Sequence, residues 1–175
     1  MSAGPRAASP FAPAATLPRP SDDDALMREA VAEARLAAAD GDVPVGCVVV
    51  REGVVVGRGR NRREAAADPT AHAEIGALRA AAATLGRWHL DDCALYVTVE
   101  PCAMCAGASI LARIALVVFG APEPKTGAVV STLELLDDAR SLHHPRWRLG
   151  ARRGEVEEVL ASFFRARRGS ADVEA

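Results

Sequence analysis

Two short motifs, separated by 26 residues (75 to 100), constrain the fold of this chain more than any other feature. The first is His72-Ala73-Glu74, and the second is Pro101-Cys102-Ala103-Met104-Cys105. Proline favours the first position of a helix, so we expect Cys102 and Cys105 in one opening turn, where residues three apart are about 5 to 6 Å from each other. A helix N-terminus also favours the thiolate, which is the form of cysteine that binds metal. The two sulfurs can therefore reach one ion.

The histidine motif begins a second predicted helix, because apolar residues recur at helical spacing from His72 to near Gly86. Glu74 follows His72 by two positions, and residues two apart do not share a helical stripe. This spacing suits one metal ligand and one group aimed at a different point. An imidazole and two thiolates supply three ligands and leave the fourth position of a zinc ion open, as catalytic sites require. That position can hold a water whose pKa falls from about 9 to near 7, and Glu74 can accept its proton.

Together, the two motifs are typical of zinc deaminases that act on cytosine or adenine. Either motif alone has a simpler interpretation, since H-x-E is a common helix start and C-x-x-C occurs in redox pairs and structural zinc sites. The combination predicts hydrolytic deamination of a nucleobase. In that reaction Glu74 delivers the captured proton to the ring and then assists the departure of ammonia.

Helical and strand patterns alternate along the chain, which predicts an α/β fold with a sheet covered by helices on both faces. A length of 175 residues is enough for one domain and too short for two ordinary ones. The helix that starts at Pro101 is expected to place Met104, Ala108 and Leu111 on one side. Helices are predicted over 21–40, 72–86, from 101, over 133–138 and over 155–168; strands over 45–50, 54–58, 94–99 and 115–119; and loops over 61–70 and 120–127.

The ends of the chain differ in composition from its centre. Residues 1–20 are mostly Ala, Pro and Ser without periodicity, so we expect a disordered tail, a folded domain over 21–168 and a flexible tail over 169–175. The apolar run 45–50 is far below the roughly 18 residues of a membrane-spanning helix. The first twenty residues lack the apolar core of a secretory signal, and the cysteine spacing does not suggest a disulfide framework. The prediction is a cytoplasmic protein.

The charge pattern allows two interpretations of the arginine-rich C-terminal part of the chain. The net charge of −2 gives no global attraction to nucleic acid, so any attraction must come from a local patch. Between Arg140 and Arg168 lie eight arginines and three glutamates. This segment is either a phosphate-binding surface or an ordinary solvated face.

Longer segments around the motifs identify a family. These are residues 43–46 (VPVG), 68–75 (DPTAHAEI), 95–108 (LYVTVEPCAMCAGA), 117–121 (VVFGA) and 125–128 (KTGA). With them the sequence resembles the bacterial tRNA adenosine deaminases, which convert the wobble adenosine of an arginine tRNA anticodon to inosine. The similarity covers most of residues 22 to 168.

The resemblance implies a cytidine deaminase-like fold of three α/β/α layers, with a central mixed sheet of about five strands. It implies that His72, Cys102 and Cys105 bind one Zn²⁺ per subunit and that Glu74 is the catalytic proton shuttle. It also implies a homodimer that binds the anticodon arm of a tRNA with residues of both subunits. Substrate contacts implied by the resemblance are Asn61, Glu123, Lys125, Phe164 and Arg165.

Two departures from the family concern the substrate. The family usually has Arg-Asp where this chain has Pro122-Glu123, and Asn-His-Arg where it has His144-Pro145-Arg146. One alternative is therefore a deaminase of a free base or nucleoside, of guanine or cytosine type, on the same fold. The other is a non-enzymatic structural zinc module that binds RNA, which would need a fourth ligand such as Cys47 or Cys93.

Overall fold

The computed structural model describes residues 16–171, with side chains through residue 168. Five strands form one sheet in the order β2-β1-β3-β4-β5. β1 pairs antiparallel with β2 and β3, whereas β3, β4 and β5 are parallel, so the sheet is mixed as predicted. The elements are α1 (Asp23–Ala39), β1 (Gly46–Arg51), β2 (Val54–Arg60), α2 (Arg63–Ala66), α3 (Ala73–Leu85), β3 (Cys93–Val99), α4 (Ala103–Leu111), β4 (Leu116–Ala121), β5 (Arg146–Leu149) and α5 (Arg153–Ala171).

Each face of the sheet carries its own apolar core. α1 and α5 cover one face, where Met27 and Val156 pack with Tyr96. α3 and α4 cover the other face, where Ala77 and Ala106 pack with strand residues. All seven residues of β3 are buried because alternate side chains enter opposite cores. The three-layer α/β/α prediction is therefore confirmed.

The first two strands form the predicted hairpin. Glu52 and Gly53 connect them, and both have positive φ angles of 51° and 78°. A two-residue turn of this kind matches the right-handed twist of the strands it joins. β2 then carries glycines that bring α3 unusually close. A Cβ atom on Gly59 would lie 2.2 Å from the Ala73 carbonyl oxygen, so the first turn of α3 rests directly on the strand.

Several predicted boundaries need correction. The helix predicted over 133–138 is a series of turns, because the Leu135 N–H donates to the Ala128 carbonyl at 3.0 Å and not to a carbonyl four residues back. β5 was not predicted, because its four residues at the edge of the sheet show no clear apolar alternation. α2 lies inside the predicted loop 61–70, and the last helix continues to Ala171.

The N-terminal tail is only partly described. Residues 1–15, most of the predicted disordered tail, lie outside the described residues, as do 172–175. Leu17 packs against the apolar core, and the Pro18 carbonyl accepts a hydrogen bond from Arg148 at 3.2 Å. In the part of the chain that the structure describes, no helix has the length and apolar character needed to cross a membrane.

Candidate active site

The two motifs meet at the N-terminal ends of α3 and α4. His72 is the residue preceding α3 and Cys102 the residue preceding α4, both with extended backbone, and Cys105 lies in the first turn of α4. Pro101 therefore stands before the helix cap and not at the first helical position as predicted. Cys102 stays extended because it forms an isolated β-bridge with Gly127. The three-residue spacing of the cysteines still directs both sulfurs to one point.

The distances among the three side chains fit a metal ion. Nδ1 of His72 lies 3.7 Å from Sγ of Cys102 and 3.5 Å from Sγ of Cys105. Tetrahedral zinc with Zn–S and Zn–N bonds of about 2.3 and 2.0 Å places nitrogen and sulfur about 3.6 Å apart. Within the described residues these three are the group whose ligand atoms converge, all within 4.8 Å of one another. Neither Cys47 nor Cys93 belongs to the group, so three ligands leave one coordination position open.

The electrostatics of the group favour metal binding. Hydrogen bonds from Cys105 and from His72 lower the pKa of the Cys102 thiol to about 3. The pKa of His72 is raised in turn, first by its hydrogen bond with Cys102. The pKa of Cys105 is raised, first by its hydrogen bond with Cys102, then by burial and by the nearby carboxylate of Glu74. A divalent cation would relieve this crowding of negative charge by binding both sulfurs as thiolates.

Glu74 is buried beside this group. Its side chain is 3% exposed, and burial raises the pKa of its carboxyl to about 7. Among the described side chains, its Oε2 is the buried oxygen or nitrogen that has no hydrogen-bond partner. Leaving a buried oxygen without a hydrogen bond costs roughly 1 to 3 kcal/mol of stability. The protein by itself therefore does not supply the hydrogen-bond partner of Oε2. A carboxyl with these properties suits proton transfer to and from a bound substrate near neutral pH.

A pocket of about 200 Å³ opens over the metal-binding group. Val43, Val45 and Val99 form apolar parts of its wall, and the side chains of His72, Glu74 and Cys102 line it together with them. Pockets for drug-sized ligands usually measure about 300 to 1,000 Å³, so this one suits a single base. Polar parts of the wall are contributed by Asn61, Arg63, Glu100, Glu123 and Thr126.

Asn61 is held by a buried acid that sequence reasoning did not single out. Asp42 is fully buried and accepts hydrogen bonds from the backbone N–H groups of Glu64 and Ala65, both at 3.0 Å. The Asn61 amide nitrogen donates to Asp42 at 3.4 Å and to the Val43 carbonyl at 3.3 Å. The amide group is thus engaged with the protein, and its Oδ1 is the atom left to contact a ligand.

The other predicted substrate contacts are distributed differently. Asn61 and Glu123 line the pocket with the metal-binding group, and Lys125 lies in the same loop, where its backbone N–H donates to Glu123 at 2.9 Å. Phe164 and Arg165 lie on α5 and do not line this pocket.

Five of the eight arginines between Arg140 and Arg168 form ion pairs with acids, so much of the possible phosphate-binding surface is neutralised. These five are Arg140, Arg148, Arg152, Arg153 and Arg165.

Sequence reasoning missed Asp42, Arg63 and Glu100. Asp42 and Glu100 lie in loops next to strands and Arg63 begins the four-residue α2, so no periodicity marks them. Glu100 stands directly before the cysteine motif, and that position was the one available signal. Arg63 is exposed and lines the pocket, and its guanidinium makes no hydrogen bond or ion pair with another described residue. It leaves a cationic group available at the pocket.

Comparison with known proteins places the fold and the site in a class. Residues 20–121, more than half of the chain, match the family model for the cytidine and deoxycytidylate deaminase zinc-binding region. The class is therefore that of the zinc-binding deaminases. The tRNA-specific adenosine deaminase of Bacillus subtilis is 41% identical over 145 residues, which cover 83% of this chain and 90% of that protein. The chain belongs to the family of tRNA-specific adenosine deaminases within this class.

Two further similarities agree with this assignment. A solved structure, from a study of A-to-I editing by tRNA:A34 deaminases at the wobble position of transfer RNA, has 41% identity and a TM-score of 0.75, and the match covers 78% of this chain and 99% of that chain. The tRNA(Ile)-lysidine synthase of Deinococcus radiodurans is 48% identical over 154 residues. The match covers 85% of this chain, which spans about a quarter (26%) of that protein. The family predicted from the sequence is confirmed.

Proposed function

We propose that this protein hydrolyses adenosine to inosine and ammonia at the wobble position of a tRNA anticodon. The observation that carries the proposal is a buried carboxylate with a free oxygen, Glu74, beside a three-ligand metal-binding group in a pocket the size of one base. The name of the B. subtilis relative and the subject of the solved structure support the substrate class. An arginine tRNA is the particular substrate that the resemblance suggests, and the cytoplasm is the proposed place of the reaction.

The residues present fit a zinc ion. His72, Cys102 and Cys105 would hold it, since their nitrogen and sulfur atoms stand at the spacing of a tetrahedral site. When bound, zinc supplies Lewis acidity that makes a water molecule nucleophilic near pH 7. The group has three members among the described residues, which favours a catalytic site over a closed structural one.

Glu74 would carry the protons. Hydrolytic deamination adds a hydroxyl group at C6 of adenine, adds a proton at N1 and expels the amino group as ammonia. Glu74 takes one proton from the attacking water and gives it to N1; it then takes the proton of the new C6 hydroxyl and gives it to the departing nitrogen, so that C6 becomes a carbonyl and ammonia leaves. Its pKa of about 7, raised by burial, lets the carboxyl act in both directions. The unsatisfied Oε2 is the atom available for these transfers.

The pocket walls would select and orient the base. Val43, Val45 and Val99 offer apolar surface to the faces of a purine. Asn61 would contact the ring edge through Oδ1, since its amide nitrogen is already engaged. An anticodon loop presents splayed bases, so the cost of extruding a base from a stack is largely avoided. Glu123 would lie beside the nucleotide next to the target base, since the resemblance places residues 122 and 123 in a protein loop that contacts this nucleotide.

The first test compares substrates. Purified protein should convert adenosine to inosine in an arginine-tRNA anticodon stem-loop and leave free adenosine and free guanine unchanged under the same conditions. A stem-loop with guanosine at the wobble position is the matched control and should give no xanthosine. Equal or faster turnover on a free base would show that the chain is a free-base deaminase and would contradict the proposed substrate.

Salt dependence provides a second prediction, because phosphate contacts release counterions. Arg63 at the pocket, Lys125 in the loop that contains Glu123, and Arg167 and Arg168 on α5 offer three or four contacts. For single strands the slope of log affinity against log salt is about −0.7 per contact, which predicts a slope near −2 to −3. Arg168→Ala should make the slope shallower by about 0.7. Arg140→Ala is the control, since this arginine is paired with an acid. A stem-loop affinity that does not change with salt would exclude phosphate recognition.

A homodimer is also proposed, and α4 supplies its support. The predicted stripe of Met104, Ala108 and Leu111 forms on one side of the helix, but Met104 and Leu111 are exposed at 37% and 77%. Val130 and Leu133, in the segment that follows β4, are also exposed. An exposed apolar surface of this kind is typical of a protein interface.

We expect Leu111→Asp to give a monomer in light scattering, because a charge in the centre of an apolar interface is strongly unfavourable. Leu142→Asp is the matched control, since Leu142 is 97% exposed but lies in a separate loop. The control should keep the mass of the wild-type protein. A wild-type protein that is itself monomeric would exclude the dimer.

A further inference from the structure

The carboxylate of Glu100 is buried and has no part in the proposed chemistry. The side chain is 4% exposed. Its Oε1 accepts hydrogen bonds from three consecutive backbone N–H groups, those of Val129, Val130 and Ser131, at 2.9, 2.8 and 3.0 Å. Its Oε2 accepts the backbone N–H of Glu123 at 3.0 Å and the hydroxyl of Ser131. Five donors from one loop thus converge on a single side chain.

This loop, residues 122–131, is called the substrate loop below. It is also joined to the cysteine motif, because the Ala128 N–H donates to the Pro101 carbonyl at 2.8 Å and Gly127 forms a β-bridge with Cys102. A Cβ atom on Gly127 would lie 2.4 Å from Cδ of Glu100, so the loop and the acid are in close contact. The substrate loop and the cysteine motif therefore form one packed unit.

We propose that Glu100 is a positioning residue that clamps the substrate loop to the cysteine motif. The clamp holds Glu123 and Thr126 at a fixed distance from the base that reacts. Both of these residues line the pocket. The substrate named here rests on the proposed function, whereas the clamp itself rests on the hydrogen bonds. Hydrogen bonds to an ionised carboxylate are stronger than neutral ones, and five of them hold the loop in one conformation before substrate arrives.

The clamp acts through the cost of ordering a loop. A loop that must become ordered on binding consumes part of the binding free energy, and a loop already ordered does not. Loosening the substrate loop should therefore weaken binding of a large substrate. The chemical step should change little, since Glu74 and the three metal ligands are not altered. The expected signature is a higher KM with an almost unchanged kcat.

Glu100→Gln is the main test. Glutamine keeps one carbonyl oxygen for the three consecutive N–H groups but loses the acceptor for Glu123 N–H and the charge. KM for the anticodon stem-loop should rise about tenfold, with kcat within threefold of wild type and zinc content unchanged. Glu134→Gln is the matched control, because this acid is exposed, lies three positions after the loop and makes no side-chain hydrogen bond with another described residue. It should leave KM unchanged.

Amide hydrogen exchange tests the clamp without any substrate. In Glu100→Gln the substrate loop should exchange at least about tenfold faster, while β3 keeps its wild-type protection. Ser131→Ala removes one of the five donors from an exposed position and should raise KM about threefold with full zinc content. If Glu100→Gln fails to fold, Ser131→Ala still tests whether the clamp exists.

The outcomes separate the two proposals. A wild-type protein that is inactive on the stem-loop contradicts the proposed function, and the exchange result still decides the clamp. An active wild type with unchanged exchange and unchanged KM in both Glu100→Gln and Ser131→Ala overturns the clamp. A fall in kcat with unchanged KM also overturns it, because Glu100 would then act on the chemical step.

Discussion

Glu74→Gln is expected to lower the rate of deamination by about 10² to 10⁴ while zinc content stays at one ion per chain. Glutamine has nearly the shape of glutamate but cannot take a proton from water or deliver one to the base. The loss should appear in single-turnover rates with saturating stem-loop, where binding does not limit the reaction. Metal analysis of the same sample shows whether the ligands are intact.

The stability of this variant is informative as well. Glu74 is buried, its pKa is raised to about 7, and its Oε2 has no partner, so the carboxylate does not stabilise the fold. We expect Glu74→Gln to unfold at the same or a higher denaturant concentration than wild type. Single-turnover rates within threefold of wild type would remove Glu74 from the mechanism and favour a structural zinc site.

Cys105→Ala is expected to lose zinc and, with it, all deaminase activity. Two ligands, His72 and Cys102, remain, which is too few for a stable tetrahedral site. The variant should also be less stable, because zinc binds the folded state and stabilises it by about 3 kcal/mol when free zinc is 100 times its Kd. Zinc per chain and the denaturation midpoint, measured with and without a chelator, test both parts.

Cys47→Ala is the matched control for the loss of a buried thiol. Cys47 is fully buried in β1, and burial raises its pKa well above the usual value, so it remains a neutral thiol. It lies outside the group of converging ligand atoms. The variant should keep full zinc and lose only a small amount of packing. Zinc loss in Cys47→Ala, or full zinc occupancy in Cys105→Ala, would show that the assigned ligand set is wrong.

The departures from the family lie in the substrate loop and at the start of β5. Glu123 donates its N–H to Glu100, and its carboxylate accepts the N–H of Lys125, so the acid is held within its own loop. His143 contacts the Ile114 carbonyl at 2.6 Å and helps to join the segment before β5 to the sheet. Neither His143 nor His144 belongs to a group of converging metal ligands among the described residues.

The chemistry was readable from the sequence because it depends on short spacings. The offset of three positions between the two cysteines, and of two positions between His72 and Glu74, defines directions on a helix without knowledge of the fold. Apolar periodicity likewise predicted the central strands and the helices that cover them, since long buried elements carry the strongest pattern. The four-residue β5 carried no such pattern and was missed.

The hydrogen bonds that hold the residues around the site in place became visible only in the tertiary structure. Asp42 and Glu100 are ordinary acids in the sequence, and their roles appear when distant loops present backbone N–H groups to them, 22 to 31 residues further along the chain. The exposed stripe on α4 is a second example. Its apolar pattern predicts one side of a helix but not what covers it, and in this chain the stripe faces outward. Local spacing determined the reacting groups, whereas contacts between distant segments decided how the pocket is held around them, because those contacts leave no periodic trace in the sequence.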